Sequence, residues 1–216
     1  MEDFLIRRDH QKLQIKSKDK IIEFLSSEQT GRIASIDENG FPQIIPMKFV
    51  FINDTIYMHS HKRRENLDNI RRNQKVGFEV DKSLEFLPSY FSDPTDASLA
   101  DTLYISVVIK GNGDIVSDKN EKTIALNGLM KKYQPEGGYE PIKPYMDVLK
   151  GVEVIKIVPE SLTGKYKIGQ NMDMKSRVDL AKQILERNTP TAKETLDTMG
   201  FRIVNNELKL IDETPW

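Results

Sequence analysis

The chain contains no cysteine, which excludes disulfides, thiolate metal ligands and a cysteine nucleophile. Histidine is nearly as scarce. Of the three present, His59 and His61 have no third ligand near them in sequence, so a zinc site is not indicated. An excess of one charge sign is also missing: 32 Lys and Arg stand against 33 Asp and Glu, a formal net charge of −1. A globally basic nucleic-acid binder is therefore not expected. No run approaches the ~20 apolar residues that span a bilayer. Met1–Arg8 lacks the charged start, apolar middle and cleavage site of a signal peptide. The expectation is a soluble, cytoplasmic protein with no membrane partner. At 216 residues, one full domain with an appendage can bury its own core.

Periodicity and punctuation place the elements. A helix is expected over Ser17–Ser27, with Ile21, Ile22 and Leu25 on its apolar face and Thr30-Gly31 ending it. Arg32–Asp37 reads as a short strand entering an Asp37-Glu38-Asn39-Gly40 turn. Gln43–Ile52 reads as a strand apolar on both faces, as in a small barrel, and Asn53-Asp54 turns it into Thr55–Ser60. A helix over Arg64–Arg72 and a strand over Val76–Val80 follow. Residues 82–100 read as loop. Thr102–Ile109 reads as a strand ending in a Gly111-Asn112-Gly113 turn. Asp118 with Glu121 forms a capping-box pattern for a helix to Tyr133, with Ile124, Leu129, Met130 and Tyr133 as its face. Residues 134–144 carry three prolines and two glycines and read as loop, before a Val152–Val158 strand. Helices are expected over Lys175–Arg187 and from Thr189-Pro190 to Gly200. The division expected is a mainly β domain with helices over 1–160 and a helical extension over 161–216.

The chemistry concentrates between residues 43 and 75. From Lys62 to Lys75 six basic residues (Lys62, Arg63, Arg64, Arg71, Arg72, Lys75) meet two acidic ones, Glu65 and Asp68. Two readings stand. One is an exposed basic helix, with Arg71 and Arg72 suiting its C-terminal dipole. The other is an anion site, because Lys62, Arg63 and Arg64 are placed early, where the dipole disfavours cations. A phosphate accepts paired bonds from guanidinium, and Ser60 or a helix N-terminus supplies more donors. With a wide apolar hairpin beside it, the site suggests a phosphorylated aromatic cofactor. His59 is either a polar strand end or a donor of a hydrogen bond or proton. Residues 79–101 hold Glu79, Asp81, Glu85, Asp93, Asp96 and Asp101 against Lys82 and read as a solvated loop that disfavours nucleic acid. Gly111-x-Gly113 is not a dinucleotide fingerprint, since the third glycine is missing.

The segments Gly31–Ile36, Gly40-Phe41-Pro42, Ile45–Phe49, Ile56–Ser60, Asn69–Asn73, Val76–Val80 and Ser106–Gly111, in that order, resemble the FMN-binding split-barrel proteins related to pyridoxamine 5′-phosphate oxidase. The closer likeness is to the nitroimidazole-reductase-like branch. Lys165–Asn171 resembles a Lys-x-x-Gln-Asn element found after the barrel in some relatives, so the resemblance covers roughly residues 17–185. It implies an α+β fold built on a six-stranded split barrel. It also implies a homodimer with FMN at the subunit interface. By position, Pro46, Met47, Lys48 and Phe49 would line the isoalloxazine, with Lys48 towards its pyrimidine end. His59 and Ser60 would stand at the ribityl-phosphate end, with Met58 also cofactor-binding. Arg63 and Arg64 would neutralise the phosphate, Lys62 and Asn66 would also be cofactor-binding, and Ser106 would face the cofactor. Gln170 and Asn171 would close the site. Where many relatives carry an adjacent Arg-Lys pair, this chain carries Glu65-Asn66, with its cations just before. The C-terminal Arg-x-His signature of the true oxidases is absent from Ile211–Trp216.

The resulting expectation is an FMN-dependent oxidoreductase acting on a small molecule, with His59 the one candidate for a catalytic role and no metal. The alternative is a flavin-binding sensor or transcriptional-regulator-like protein without turnover, whose tail and basic segment would be its interaction surfaces. Haem or a deazaflavin in the same barrel is a third option.

Overall fold

Two tight turns set the first strands. Asp37 Oδ1 accepts from the Asn39 and Phe41 amides, both at 2.8 Å, and Gly40 takes φ +87° to close the first. Asn53 and Asp54 take φ +49° and +60°, the pair of left-handed residues that a two-residue hairpin requires. The computed structural model describes residues 13–205 and 207–212. Met1–Arg8, read above for a signal peptide, and the Glu213–Trp216 end lie outside them.

The helices are α1 (Lys18–Ser27), α2 (Glu65–Arg72), α3 (Lys119–Tyr133), α4 (Met174–Arg187) and α5 (Ala192–Thr198). The strands are β1 (Gly31–Ile36), β2 (Pro42–Met47), β3 (Phe49–Ile52), β4 (Thr55–His61), β5 (Lys75–Leu87), β6 (Asp101–Ile115), β7 (Val152–Lys167), β8 (Phe201–Val204) and β9 (Glu207–Leu210). Seven strands form one sheet in the order β2-β1-β5-β6-β7-β4-β3, and β8 pairs with β9 alone. The paired neighbours whose registers are resolved run antiparallel. Among the described residues no helix is long and apolar enough to cross a membrane.

The chain forms two compact units. One joins the stretch through Lys18 to Asp81–Ser106 and the chain from Gly164 on; the other comprises Asp19–Val80 and Val107–Thr163. In the second unit Phe49 and Phe78 meet edge to face at 5.1 Å, among buried Ile33, Ile56, Met58, Leu67 and Ile70. Helix α3 packs Ala125, Leu126 and Leu129 against Val50, Val116, Leu149 and Val154. Each fully buried side chain of Leu or Val size contributes roughly 1.5–3 kcal/mol. In the other unit α4 buries Leu180, Ala181 and Ile184, α5 buries Leu196, and β8 buries Phe201. There Asp173 caps α4 by accepting from the Ser176 amide at 2.9 Å, and Asn188 ends it in the left-handed region at φ +49°.

Several local expectations change in the folded chain. The strand expected over Gln43–Ile52 breaks at Lys48, because its halves hydrogen-bond to different partners: Met47 lies opposite Gly31, whereas Phe49 lies opposite Met58. Gly111–Gly113 is not a turn, and β6 runs straight through it. Gly111 serves close approach instead, since a Cβ there would stand 2.3 Å from the Val158 carbonyl oxygen. Residues 82–100 are only partly loop: β5 continues to Leu87, and two short 3-10 turns follow at Ser89–Phe91 and Ala97–Leu99. Glu85 is not solvated there. It is 3% exposed and accepts from Arg187 at 3.0 Å and from Thr191 at 2.8 Å, with Thr189 a third donor. Asp118 does cap α3, at 2.7 Å from the Glu121 amide, but the Glu121 carboxylate bonds Tyr57 and Lys156 rather than completing a capping box. Ile124, expected on the buried face of α3, is 56% exposed.

Candidate functional site

The break at Lys48 opens the site. Strand β4 is covered on one side by β3 only as far as Met58, because β3 starts at Phe49 opposite it. Its last residues, His59, Ser60 and His61, pair only with β7, opposite Val154, Glu153 and Val152. On the other side of Lys48 the chain has turned away to pair with β1. The gap is a cavity of about 510 Å³, within the roughly 300–1,000 Å³ usual for small-molecule sites. Ile45, Pro46 and Met47 from β2, the Lys48 junction, His59–His61 from β4, Arg64 and Asn66 at the start of α2, and Gly151 and Val152 at the start of β7 line it.

Its chemistry is one-sided. Two cations, two imidazoles, a hydroxyl and an amide line it, and no carboxylate does. Arg64 is the N-cap residue of α2 in extended conformation (φ −124°, ψ 132°), and no side chain caps the helix. Its carbonyl accepts from the Leu67 amide at 3.0 Å. The first-turn amides before Leu67 lie at the positive end of the helix dipole, without intrahelical acceptors. The Arg64 guanidinium has no carboxylate partner among the described residues. Arg63 N–H donates to His61 Nδ1 at 3.3 Å, so the proton of the neutral ring sits on Nε2.

Asn66 carries the strongest signal. It is 2% exposed, its Oδ1 has no hydrogen-bond partner, and its Nδ2 reaches only Met47 Sδ at 3.8 Å. A buried amide oxygen left unpaired costs about 1–3 kcal/mol, and a donor on a bound molecule would relieve it.

Behind Lys48 lies a second cationic cluster. Lys48 Nζ stands 4.1 Å over the Tyr133 ring, and Lys132 Nζ 3.7 Å over the Phe49 ring. Lys132 donates to the Leu25 carbonyl at 2.8 Å. Burial holds its ammonium down at about 8; Glu28 opposes that shift and the like charge of Lys48 adds to it.

The residues singled out from sequence divide three ways. Pro46, Met47, Lys48, His59, Ser60, Arg64 and Asn66 are together at the cavity. Phe49 and Met58 are wholly buried. Lys62 and Arg63 are exposed on the bend before α2, which starts at Glu65, so the early cations precede the helix rather than opening it. Ser106, Gln170 and Asn171 belong to the other unit. There Gln170 closes on its own loop, accepting from the Ile168 amide at 3.0 Å and donating to the Tyr166 carbonyl. Asn171 borders a separate cavity of about 640 Å³. Sequence reasoning missed Ile45, His61, Gly151 and Val152 as lining residues. His61 was legible, two positions beyond His59 on the same strand face. Gly151 and Val152 carry no local signal, because the pairing of His61 with Val152 brings them in. No group of three metal-ligating side chains occurs among the described residues.

A family model described as pyridoxamine 5′-phosphate oxidase matches residues 17–166. Among curated proteins none matches the chain. Among solved structures, a candidate 5-nitroimidazole antibiotic resistance protein from Bacteroides thetaiotaomicron is 23% identical with a TM-score of 0.60, covering 71% of this chain and 86% of its own. A flavocytochrome from Azotobacter vinelandii is 17% identical with a TM-score of 0.62, over 72% of this chain and 69% of its own. An FAD- and heme-binding protein from Mycobacterium smegmatis is 13% identical with a TM-score of 0.60, over 71% of this chain and 72% of its own. At these identities the likeness is one of fold.

Proposed function

The chain belongs to the pyridoxamine 5′-phosphate oxidase family, within the FMN-binding split-barrel superfamily, and from that premise we propose that the cavity at the Lys48 break holds FMN and that the protein is an FMN-dependent oxidoreductase acting on a small molecule. The sheet order supports a closed six-stranded barrel. Its two edge strands, β2 and β3, are joined by a single residue and count as one bent strand. The proposed assembly is a homodimer with the cofactor at the subunit interface. Phe41 and Ile44, 69% and 62% exposed at or beside the strand that lines the cavity, are apolar surface that a second copy would cover.

The observation that carries this reading is the donor set: cations and a free helix start with no carboxylate, beside the orphaned amide of Asn66. Arg64 and the first-turn amides of α2 bind the phosphate. Asn66 Oδ1 accepts from a ribityl hydroxyl or ring N–H. Ile45, Pro46, Met47 and Val152 give the apolar wall for the ring, and Lys48 places positive charge at the cavity edge. His59, exposed at the end of β4, is placed to hold a proton near the substrate. Bound FMN supplies the redox chemistry, and the chain supplies position, charge and access.

The test is the visible absorbance of purified protein after FMN is added and excess removed. Retained flavin bands support the reading; colourless protein overturns it. Reduction of the bound flavin by a nicotinamide donor and its reoxidation by a small acceptor then establish an enzyme. Tight binding without turnover establishes the sensor alternative.

A further inference from the structure

Lys48 lies at the cavity outside regular structure. It is the single residue between two edge strands, and the ladders on either side stop short of it: β1–β2 pairing ends at Met47, and β3–β4 pairing starts at Phe49. An edge strand also leaves outward backbone groups in need of partners. At this junction Tyr133 meets both needs. Its hydroxyl oxygen accepts from Phe49 N–H at 2.9 Å, and its proton is shared between the Gln29 and Phe49 carbonyls, both at 2.9 Å. Its ring lies under the Lys48 ammonium at 4.1 Å. Lys132 stands 5.5 Å from the same ring, tied to the Leu25 carbonyl and attracted by Glu28. The like charges of Lys48 and Lys132 repel each other.

We infer that Tyr133, which does not line the cavity, is the positioning residue that holds Lys48 at its wall, through the ring beneath the ammonium and the hydroxyl on the Phe49 peptide. The consequence for cofactor affinity rests on the cavity being the FMN site; the contact itself does not. A cation held in place needs no reordering when an anionic ligand arrives, so loss of Tyr133 weakens binding only where Lys48 is present to be misplaced.

The test has two arms. In ligand-free protein, lysines are labelled by reductive ¹³C-methylation, and the Lys48 resonance is identified by its loss in Lys48→Met. Its ring-current shift should persist in Tyr133→Phe and vanish in Tyr133→Leu. In the second arm FMN is titrated into wild type, Tyr133→Leu, Lys48→Met and the double variant. Tyr133→Leu should lose at least about threefold in affinity, the lower range for a cation–π contact. The double variant should bind no worse than Lys48→Met alone. An unshifted Lys48 resonance in wild type overturns the inference. So does a Tyr133→Leu loss that is undiminished in the Lys48→Met background, which would mean Tyr133 acts through the fold. Should wild type ignore FMN while the resonance still depends on Tyr133, the cofactor reading falls and the positioning of Lys48 stands.

Discussion

Lys132 lets the electrostatics behind the cavity be tested by stability alone. Its ammonium is half-buried against the Phe49 ring, and burial brings it to about 8 from an ordinary lysine value of 10.5. The folded state therefore binds this proton less tightly than the unfolded state does. Below pH ~8 both states are charged, and the folded state carries the desolvation cost. As pH rises from ~8 to ~10.5 the folded amine is neutral while the unfolded one stays protonated, so stability rises with pH across that window. The full shift is worth about 3 kcal/mol, and solvent screening of a half-buried group reduces this to about 1–2 kcal/mol. Lys132→Met removes the titration. Urea or thermal unfolding of both proteins at pH 7, 8, 9 and 10.5 should show wild type gaining that amount relative to the variant, about 3–6 °C in melting temperature. A difference that stays constant over the range, or a wild type that loses ground as pH rises, would refute the reasoning. The first result would mean that the Phe49 ring and the Leu25 carbonyl compensate the burial fully.

Three further predictions follow from the site and its frame. Arg64→Ala should weaken FMN far more than riboflavin, whereas Lys62→Ala and Arg63→Ala should change neither by more than about twofold, as expected of screened surface charge; flavin fluorescence titration reads all three. Glu85→Ala removes the acceptor shared by Arg187, Thr189 and Thr191 and should cost about 2–4 kcal/mol, measured by urea unfolding, with Glu85→Gln costing less. Asn53→Val forces a β-branched residue into φ +49° and should destabilise by about 1–2 kcal/mol, while Asn53→Gly should be nearly neutral in the same assay.

Of the residues singled out from sequence, those with a local signal come together in the structure. His59, Ser60, Arg64 and Asn66 lie within eight positions of one another at a strand-to-helix change, and all four reach the cavity. Neighbours of those residues lie elsewhere, because their placement depends on side-chain direction. Lys62 and Arg63 share the sequence environment of Arg64, and all three are exposed ahead of α2, yet only Arg64 lines the cavity. Phe49 adjoins Lys48 but turns into the core against Phe78, since the strand changes partners between them. Glu85 had the composition of a loop residue and became the buried hub of three donors, which only contacts about 100 positions away could arrange.

Short-range physics is thus carried by the chain itself. The Asn53-Asp54 turn, the Asp118 and Asp173 caps, the alternation of the strands, the lack of cysteine and the clustering of cations before α2 all follow from residues within a few positions of one another. Tertiary structure alone decided the rest. The break at Lys48 needs two different strand partners, β1 for Met47 and β4 for Phe49. The floor of the cavity needs β7 brought beside His61. The hold on Lys48 needs Tyr133, 85 positions on in sequence, to arrive at the junction on helix α3. Hydrogen bonding and burial act through space, and a local pattern states that a strand or cation exists without stating what will stand opposite it.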